Sequence, residues 1–325
     1  MTDTALRLSI ALCTYNGERF LLEQLETFAT QTRRPDEVII CDDRSTDATV
    51  DIARDFAARA PFPVRVLVNE HNLGSTKNFE RAIAQCTGDL IALSDQDDVW
   101  HCEKLAHSEQ ALLAAPGADI VFSDAYVVDD ALRPLGPTLW DTLLFGPDLR
   151  SRFHGGDAFG VLFNKTVVTG ATMVFRSRVR DFVLPIPATI VHDNWISLLV
   201  SAVSDIVLLD EPLMYYRQHE ANQIGAQRMS LAWHWRRHRY LRTGGRAATG
   251  RWCDEAARRL ESVSDRLRHP EAVELLRDMA AHGQIRSHLP ANRFLRLAPV
   301  LTELRTGRYK RYSTGLVSVV MDMLV

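Results

Sequence analysis

The sequence of 325 residues lacks any apolar run close to the roughly 20 residues that a membrane-spanning helix needs. Its polar start, Met1-Thr2-Asp3-Thr4, also lacks the basic and apolar regions of a signal peptide. We therefore expect a cytoplasmic protein.

Cysteine is scarce, and its spacing does not suggest a metal site. Five cysteines leave one unmatched in any set of disulfides, and none of them forms a paired metal-binding motif. A disulfide framework and a zinc site are therefore not expected, and we predict reduced, mostly buried thiols. Internal repeats and low-complexity segments are not evident either. With 46% hydrophobic residues, the chain can build a core for one large domain or two ordinary ones.

The net charge of −3 hides an asymmetry along the chain. Residues 226–325 contain 19 of the 38 basic residues but only 9 of the 41 acidic ones, a balance of +10. Residues 1–225 keep 19 basic and 32 acidic side chains, a balance of −13. This division predicts an acidic catalytic domain over 1–225 and a basic, helical C-terminal region over 226–325.

The basic region is expected to contact an anionic partner. Residues 229–240 mix aromatic and basic side chains, and residues 316–325 form a predicted apolar helix. This combination predicts a peripheral anchor on the inner face of the cell membrane. The alternatives are a helical subdomain with a solvated basic face, and packing on the body or on a second subunit.

Strand-length apolar runs alternate with segments of helical spacing over the first part of the chain. Strands are predicted at 6–13, 36–41, 62–68 and 88–93, with helices between them at 18–31, 48–60 and 76–86. This alternation predicts an α/β fold with right-handed crossovers and a mostly parallel sheet flanked by helices. Such a sheet binds ligands at the carboxyl ends of its strands.

The pattern is less regular farther along. A loop rich in proline and glycine is predicted over 133–156, and its length suggests a mobile, functional segment. The other predicted elements are a helix at 100–115, strands at 118–123, 125–129 and 170–175, a helix at 194–203, and strands at 205–209 and 214–217. From residue 227 onward the pattern is helical, with breaks at Gly244-Gly245, Pro270 and Pro290.

The stretch Asp95-Gln96-Asp97-Asp98 follows one of the short apolar strands directly. Unpaired charges cannot lie in a core, so the carboxylates must lie at the open end of that strand, where a cation neutralises them. Oxygen ligands in an Asp-x-Asp spacing suit Mg²⁺ or Mn²⁺, which keep positions open for substrate phosphate oxygens. The alternative is a turn that only caps the following helix.

Polar residues also follow the neighbouring strands. The segment 13–17 offers hydroxyl, amide and backbone donors, while Asp42 and Asp43 could accept hydrogen bonds from a base or a ribose. The alternative is that residues 42–47 only shape a turn and cap the next helix, and we prefer this alternative for Asp47. Lys77 lies at a predicted helix start and could contact a phosphate, although a solvated lysine would look the same.

Taken in order, these segments resemble family 2 glycosyltransferases. The resemblance rests on 8–17, 38–43 with 45–49, 72–74 and 93–100, and it covers roughly residues 6–225. It implies a GT-A fold, a nucleoside-diphosphate sugar donor and a divalent metal, Mg²⁺ or Mn²⁺, at the Asp-x-Asp motif. Residues 168–176, 192–195 and 216–222 most resemble bacterial rhamnosyltransferase-type members.

The resemblance also implies roles for individual residues. Asp95 would hold the ribose or sugar and Asp97 the metal, while the nucleotide would be held by Thr14, Tyr15, Asn16, Asp42, Asp43 and Lys77. Asp193 matches the family's base position, although a capping aspartate would look the same. His219 could complete the metal site or contact the diphosphate, although a lone histidine is more often structural.

Two departures from the family pattern are visible. Residues 192–193 are His-Asp where many members have Glu-Asp, which leaves the aspartate in place. Residues 217–219 are Arg-Gln-His where processive synthases have Gln-x-x-Arg-Trp, which argues against a processive polymer-extruding enzyme. Transfer of one or a few sugars is therefore expected.

We thus expect an inverting, metal-dependent glycosyltransferase that acts on a hydroxyl of a cell-surface glycan or lipid-linked saccharide, with dTDP-rhamnose as the leading donor. The reaction needs a base for the acceptor proton and a cation for the departing diphosphate. A nucleotidyltransferase would normally show an early glycine-rich phosphate loop, which this chain lacks. A non-enzymatic nucleotide-sugar sensor would not need both Asp193 and the acidic stretch. A nucleic-acid partner is not expected, and self-association stays open.

Overall fold

The structure, a computed structural model, describes residues 6–219 and 246–324. The chain divides into two compact units, Met1–Ala226 and Gln227–Val325. The aromatic and basic segment 229–240 and the break at Gly244-Gly245 lie outside the described residues. Across the two described ranges, no helix is long and apolar enough to cross a membrane.

The first unit begins with alternating strands and helices, as the sequence predicts. The elements are β1 (Leu8–Thr14), α1 (Leu21–Ala29), β2 (Glu37–Asp42), α2 (Thr49–Ala57), β3 (Val64–Val68), α3 (Ser75–Gln85) and β4 (Leu90–Ser94). Strands β1, β2 and β4 are buried along their whole length, as continuous apolar strands of a covered parallel sheet are. Each boundary lies within a few residues of the prediction.

The second part of this unit completes the sheet with antiparallel as well as parallel neighbours. Its strands are β5 (Val99–Trp100), β6 (Ala118–Val128), β7 (Pro134–Thr138), β8 (Met173–Arg176) and β9 (Asp205–Arg217). Its helices are α4 (Lys104–Ala114), α5 (Leu139–Thr142), α6 (Pro147–His154), α7 (Ala158–Asn164), α8 (Arg180–Val183) and α9 (His192–Ser201).

The described strands form one sheet in the order β3-β2-β1-β4-β8-β6-β9-β5, with β7 paired to β6. Strands β1 to β4 pair in parallel, and so do β6 and β9. Strand β8 runs antiparallel between β4 and β6. The register places Thr14 beside Asp42, and Leu12 beside Ser94, so the carboxyl ends of β1, β2 and β4 lie at one edge of the sheet.

The prediction of a long loop over 133–156 is wrong. This segment contains β7, α5 and α6, and it buries three aromatic side chains, Trp140, Phe145 and Phe153, around Phe122. Their ring centroids lie 5.7, 6.2 and 5.7 Å from that of Phe122, in the range of favourable aromatic pairs. Irregularly spaced aromatic residues give no helical or strand periodicity, which is why the pattern missed this packed segment.

Three other boundaries also differ from the prediction. The strands predicted on either side of Asp124 form one strand, β6, because the Asp124 carboxylate accepts the N–H groups of Ala125 and Trp140 (2.8 and 3.0 Å) and the pairing continues past it. The two strands predicted within 205–217 are likewise one strand, β9. Helix α4 starts later than predicted, because residues 99–100 pair with β9.

The second unit is helical where it is described. Its helices are α10 (Arg246–Glu261), α11 (Ala272–Ser287), α12 (Leu297–Arg305), α13 (Arg308–Tyr312) and α14 (Leu316–Leu324). Pro270 and Pro290 lie between helices, as predicted. Its interior contains small and apolar side chains together with buried polar contacts, among them the Arg286–Asp322 ion pair (2.6 Å) and a hydrogen bond between His282 and Glu303 (2.6 Å).

Candidate active site

The candidate site lies where β1, β2 and β4 end. Residues 95–98, which follow β4 and are called the acidic loop below, are hydrogen-bonded to the loop after β1. Tyr15 N–H donates to Gln96 Oε1 (2.8 Å), and Gln96 Nε2 donates to the Tyr15 carbonyl (3.0 Å). A Cβ atom at Gly17 would overlap the end of the Gln96 side chain, so glycine at this position lets Gln96 make both bonds. The two loops therefore form one unit.

The loop after β1 is also fastened to the loop after β2. Asn16 N–H donates to Ser45 Oγ (2.8 Å), while Asn16 Oδ1 accepts the N–H of Thr46 (2.8 Å). Asn16 has a φ of +47°, in the left-handed region that asparagine tolerates better than most residues. Asp47 accepts the N–H groups of Glu18 and Thr49, both at 3.1 Å, which is the turn-shaping role preferred for it.

Asp42 and Asp43 are both buried, and their carboxylates have partners within the protein. Asp42 accepts hydrogen bonds from the hydroxyls of Thr14 (2.8 Å) and Ser45 (2.5 Å). The Asp43 carboxylate accepts from Asn69 Nδ2 (2.7 Å) and from the N–H groups of residues 73 and 74 (2.7 and 2.8 Å). These bonds fix the loops that line the site, and contact of either carboxylate with a nucleotide stays a prediction.

Lys77 lies in the first turn of α3 and forms an ion pair with Glu80, with 2.7 Å between Nζ and Oε2. Glu80 Oε2 also accepts the N–H of Ile186 (2.6 Å). Lys77 is about a third exposed, and it would have to exchange this partner to reach a phosphate.

The acidic loop brings together residues far apart in the sequence. Asp97 Oδ2 lies 2.8 Å from His219 Nε2, and only 14% and 10% of these two side chains are exposed. The buried Asp98 accepts the N–H of Arg217 at Oδ1 (3.1 Å), while its Oδ2 has no hydrogen-bond partner within the described residues. The predicted metal ligands Asp97 and His219 are therefore adjacent.

Negative charge is crowded at this loop. Burial, followed by repulsion from Asp97 and Asp193, raises the pKa of Asp95 to about 7. Burial, followed by repulsion from Asp97 and Asp95, raises the pKa of Asp98 well above its ordinary value. The four carboxylates thus form one electrostatic group that an added cation would stabilise.

Lys104 is a buried cation beside this group, and sequence analysis did not single it out. Its Nζ donates to the Ala171 carbonyl and lies 3.8 Å from the centre of the Trp100 ring. Burial lowers the pKa of Lys104 to about 7, while Asp98 and Asp95 oppose that shift. A lysine at the start of a helix looks solvated in the sequence, so the pattern offered no indication of burial.

Arg217 is a second residue whose role was missed, because the sequence marked it only as part of a departure from the processive pattern. The side chain is 2% exposed, its Nε donates to the Asp97 carbonyl (2.8 Å), and its guanidinium pairs with Glu23 and with the Asp130 carbonyl. The guanidinium carbon also lies 4.4 Å from the centre of the Phe20 ring. Arg217 therefore fixes the backbone of the acidic loop through the Asp97 carbonyl.

Asp193 lies in the first turn of α9, but it is not the N-cap. The N-cap residue is Val191, and no side chain caps this helix. Asp193 Oδ2 accepts the N–H of Gly170 (2.9 Å), and its charge contributes to the raised pKa of Asp95. The structure thus places the predicted base beside the acidic loop.

The neighbouring His192 is buried, and its ring stacks on Phe79 with 3.9 Å between centroids. Neither ring nitrogen has a hydrogen-bond partner within the described parts of the chain. Burial lowers the pKa of His192, while the charge of the neighbouring Asp193 opposes that shift. We infer a neutral packing residue that holds the start of α9 against α3.

The donor set at the acidic loop suits a divalent cation that shares its coordination with a substrate. Over the described ranges, no group of three or more His, Cys, Asp or Glu side chains is arranged as a ready-made metal site. Asp97 and His219 nevertheless supply an oxygen and a nitrogen side by side, with Asp95 in the same electrostatic group. Mg²⁺ in particular binds through one or two carboxylates plus substrate phosphates, so these residues fit such an ion.

The sheet consists of parallel strands that end at an edge lined by carboxylates, and it is continued by the antiparallel strand β8. This arrangement is a GT-A fold. A sequence profile of Glycosyl transferase family 2 matches residues 9–181, more than half of the chain. The chain therefore belongs to Glycosyl transferase family 2 and is a glycosyltransferase. The predicted family and α/β GT-A fold with C-terminal helices are both confirmed.

Curated relatives fall into characterised and uncharacterised groups. The dTDP-rhamnosyl transferase RfbG of Shigella flexneri is 27% identical over 228 residues, which cover 66% of this chain and 74% of RfbG. The uncharacterised protein Rv1520 of Mycobacterium tuberculosis is 31% identical over 218 residues, which cover 65% of this chain and 59% of Rv1520. The match thus spans about three fifths of the mycobacterial relative's length.

Solved structures share the fold at low sequence identity. S. aureus TarS 1-349 in complex with UDP-GlcNAc gives a TM-score of 0.54 at 18% identity, covering 94% of this chain and 89% of that chain. The mannosyltransferase PcManGT from Pyrobaculum calidifontis, in complex with GDP-Man and Mn²⁺, gives 0.53 at 16% identity, with 98% and 86% coverage.

Proposed function

We propose that this glycosyltransferase is inverting and metal-dependent, and that it moves a sugar from a nucleoside diphosphate to a hydroxyl of a cell-surface glycan or lipid-linked saccharide. The observation that carries the proposal is the convergence of Asp95, Asp97, His219 and Asp193 at the carboxyl end of β4. A lipid-linked acceptor would place the reaction at a membrane surface.

Asp193 is the proposed general base. Its Oδ2 is oriented by the Gly170 N–H (2.9 Å), which leaves lone pairs of the carboxylate for a substrate hydroxyl. The carboxylate takes the acceptor proton while the acceptor oxygen attacks the anomeric carbon on the face opposite the diphosphate. Attack from that face inverts the anomeric configuration and releases the nucleoside diphosphate with the bonding electrons.

Asp97 and His219 are the proposed metal ligands. Their donor atoms already lie 2.8 Å apart, so an ion would replace a direct contact without a large rearrangement. When bound, the ion would neutralise charge on the departing diphosphate. Asp95, crowded by the neighbouring carboxylates, would lose that repulsion and accept hydrogen bonds from the ribose or the sugar.

The loops after β1 and β2 are the proposed nucleotide site. Tyr15 is 45% exposed at the sheet edge, where its ring could stack on a base. Thr14 and Asn16, with Asp42 and Asp43, fix the shape of these loops through the bonds described above. Lys77, in the first turn of α3, would approach the phosphates on the same side as the helix N-terminus.

The donor sugar is proposed from the relatives. RfbG is a dTDP-rhamnosyl transferase, whereas the structural neighbours were solved with UDP-GlcNAc and GDP-Man, so the fold accepts several donors. We favour dTDP-rhamnose. Membership of Glycosyl transferase family 2 gives no support to a nucleotidyltransferase or a non-enzymatic sensor.

A panel of nucleotide sugars tests this proposal directly. The native state should be protected against thermal unfolding by dTDP-rhamnose with Mn²⁺ or Mg²⁺, and less by either component alone, because a ligand bound only by the native state raises stability by mass action. Release of dTDP, without pyrophosphate, should accompany turnover. Protection that is equal with and without metal would contradict the proposal.

A further inference from the structure

Helix α14 in the second unit has its polar side inward and its apolar side outward. Ser318 and Asp322 are buried, whereas Leu316, Val317, Val320 and Leu324 are exposed by 71, 64, 52 and 58%. The exposed set recurs at helical spacing and forms one stripe. A surface helix normally buries its apolar stripe, so this orientation is the reverse of what burial in water favours.

Hydrogen bonds inside the unit fix this orientation. Asp322 Oδ2 accepts from Arg286 Nε (2.6 Å) and from the Tyr309 hydroxyl (2.8 Å), and the Asp322 carbonyl accepts from Arg296 (3.1 Å). Rotating α14 to hide its apolar stripe would break a buried ion pair and leave Arg286 without this partner, which is costly. The outward stripe is therefore set by the packing of the unit.

The apolar surface continues onto the neighbouring elements. The turn over Arg293–Arg296 and helix α12 expose further large apolar side chains, and Arg296 ties this turn to α14. The apolar face consists of Phe294, Leu295, Leu297, Leu301, Leu304, Leu316, Val317, Val320 and Leu324. Phe294, at 89% exposure, is the most accessible of them. Contiguous apolar patches of this kind mark interaction sites.

Within residues 291–324, which include every residue of the apolar face, the exposed charge is of one sign. The acids in 291–324, Glu303 and Asp322, are both buried in ion pairs with basic residues of the same unit. The exposed charged side chains of this range are all basic: Arg293, Arg305, Lys310 and Arg311. Apolar elements whose own exposed charges are all positive are complementary to an anionic lipid surface.

We propose that the apolar face docks on an anionic bilayer, with its apolar side chains at the headgroup boundary and the four basic residues at the lipid phosphates. A second copy of the chain is the less favourable occupant, because it would bring like charges together across the interface. This proposal does not rest on the proposed function.

Co-sedimentation of the full chain with vesicles tests the proposal. The probes are vesicles of phosphatidylcholine alone and of phosphatidylcholine mixed with phosphatidylglycerol. The wild type should bind the anionic vesicles and not the neutral ones. Neutralising two basic residues, Lys310→Gln/Arg311→Gln, should weaken binding about 30-fold, since each basic residue near the surface contributes roughly a fivefold attraction.

The apolar contribution is tested by Val317→Asp/Val320→Asp, which should weaken binding at least tenfold. Both positions are exposed, so the melting temperature should stay that of the wild type. The matched control is Leu113→Asp, an equally exposed apolar residue (56%) on α4 in the first unit, which should bind like the wild type.

Several outcomes would overturn the proposal. Absence of binding to anionic vesicles, equal binding by the double variants, or an equal loss in the Leu113→Asp control would each do so. A dimer in light scattering that Val317→Asp/Val320→Asp converts to a monomer would assign the face to a second copy instead. Donor turnover with a water-soluble acceptor, measured without vesicles, reports on the proposed function separately.

Discussion

Asp95→Asn should make the metal-free protein more stable at neutral and alkaline pH while impairing its function. In the folded state the pKa of Asp95 is raised to about 7, whereas an unfolded aspartate titrates near 3.9. The folded state therefore holds a proton that the unfolded state has lost between these two values. Stability consequently falls as the pH rises through this window, and the loss is complete above the folded-state pKa.

The size of the effect follows from the shift. Because one pKa unit corresponds to 1.36 kcal/mol, a shift of about 3 units gives a ceiling of about 4 kcal/mol at alkaline pH. Between pH 5 and pH 8 the wild type should lose about 2–3 kcal/mol relative to Asp95→Asn. Partial exposure of Asp95 makes these figures upper bounds.

Urea unfolding of the metal-free proteins at several pH values measures this difference. The matched control is Asp51→Asn, because the Asp51 side chain is 82% exposed and lies in the first turn of α2, outside the acidic loop. Added Mn²⁺ should reduce the advantage of Asp95→Asn, since a cation relieves the same repulsion. A stability difference that is constant from pH 5 to pH 8 would refute the electrostatic argument.

Three further substitutions probe the same site. Asp193→Asn should lower kcat by about 10²–10⁴ while donor and metal still bind; near-normal turnover would remove the base assignment. His219→Ala should weaken metal-dependent donor binding, and an unchanged metal affinity would show that His219 is not a ligand. Gly17→Ala should displace the Gln96 side chain and destabilise the first unit by about 1 kcal/mol through loss of its bonds to Tyr15, whereas in a Gln96→Ala background the same change should cost little more.

Strands β1, β2 and β4 could be predicted because buried parallel strands leave a plain pattern. Their apolar runs are continuous and end in turn residues, and few other structures produce this combination. The polar residues that follow β1, β2 and β4 could be placed at one edge for the same reason, since parallel strands present their carboxyl ends together. The metal role of Asp97, by contrast, came from the family resemblance, and His219 was placed near it only because it follows the strand predicted at 214–217.

The supporting charges of the site could not be predicted. Lys104 and Arg217 look like ordinary surface cations in sequence, and their burial depends on carboxylates and carbonyls contributed by distant segments. The packed segment 133–156 was hidden because aromatic residues at irregular spacing match neither period. The sequence also offered no indication that α14 exposes its apolar side chains, since this orientation follows from the Arg286–Asp322 ion pair.

Metal-dependent release of nucleoside diphosphate by Asp97→Asn, compared with the wild type and Asp51→Asn, is the most direct test of the proposed chemistry. The account predicts that both the wild type and Asp51→Asn turn over donor and that turnover rises with Mn²⁺ or Mg²⁺. Asp97→Asn should stay folded without metal, with a melting temperature no lower than that of the wild type, because its carboxylate lies at the strand end outside the core and its removal relieves repulsion on Asp95. The variant should nevertheless lose metal-dependent turnover. Wild-type turnover and metal dependence in Asp97→Asn would contradict the account.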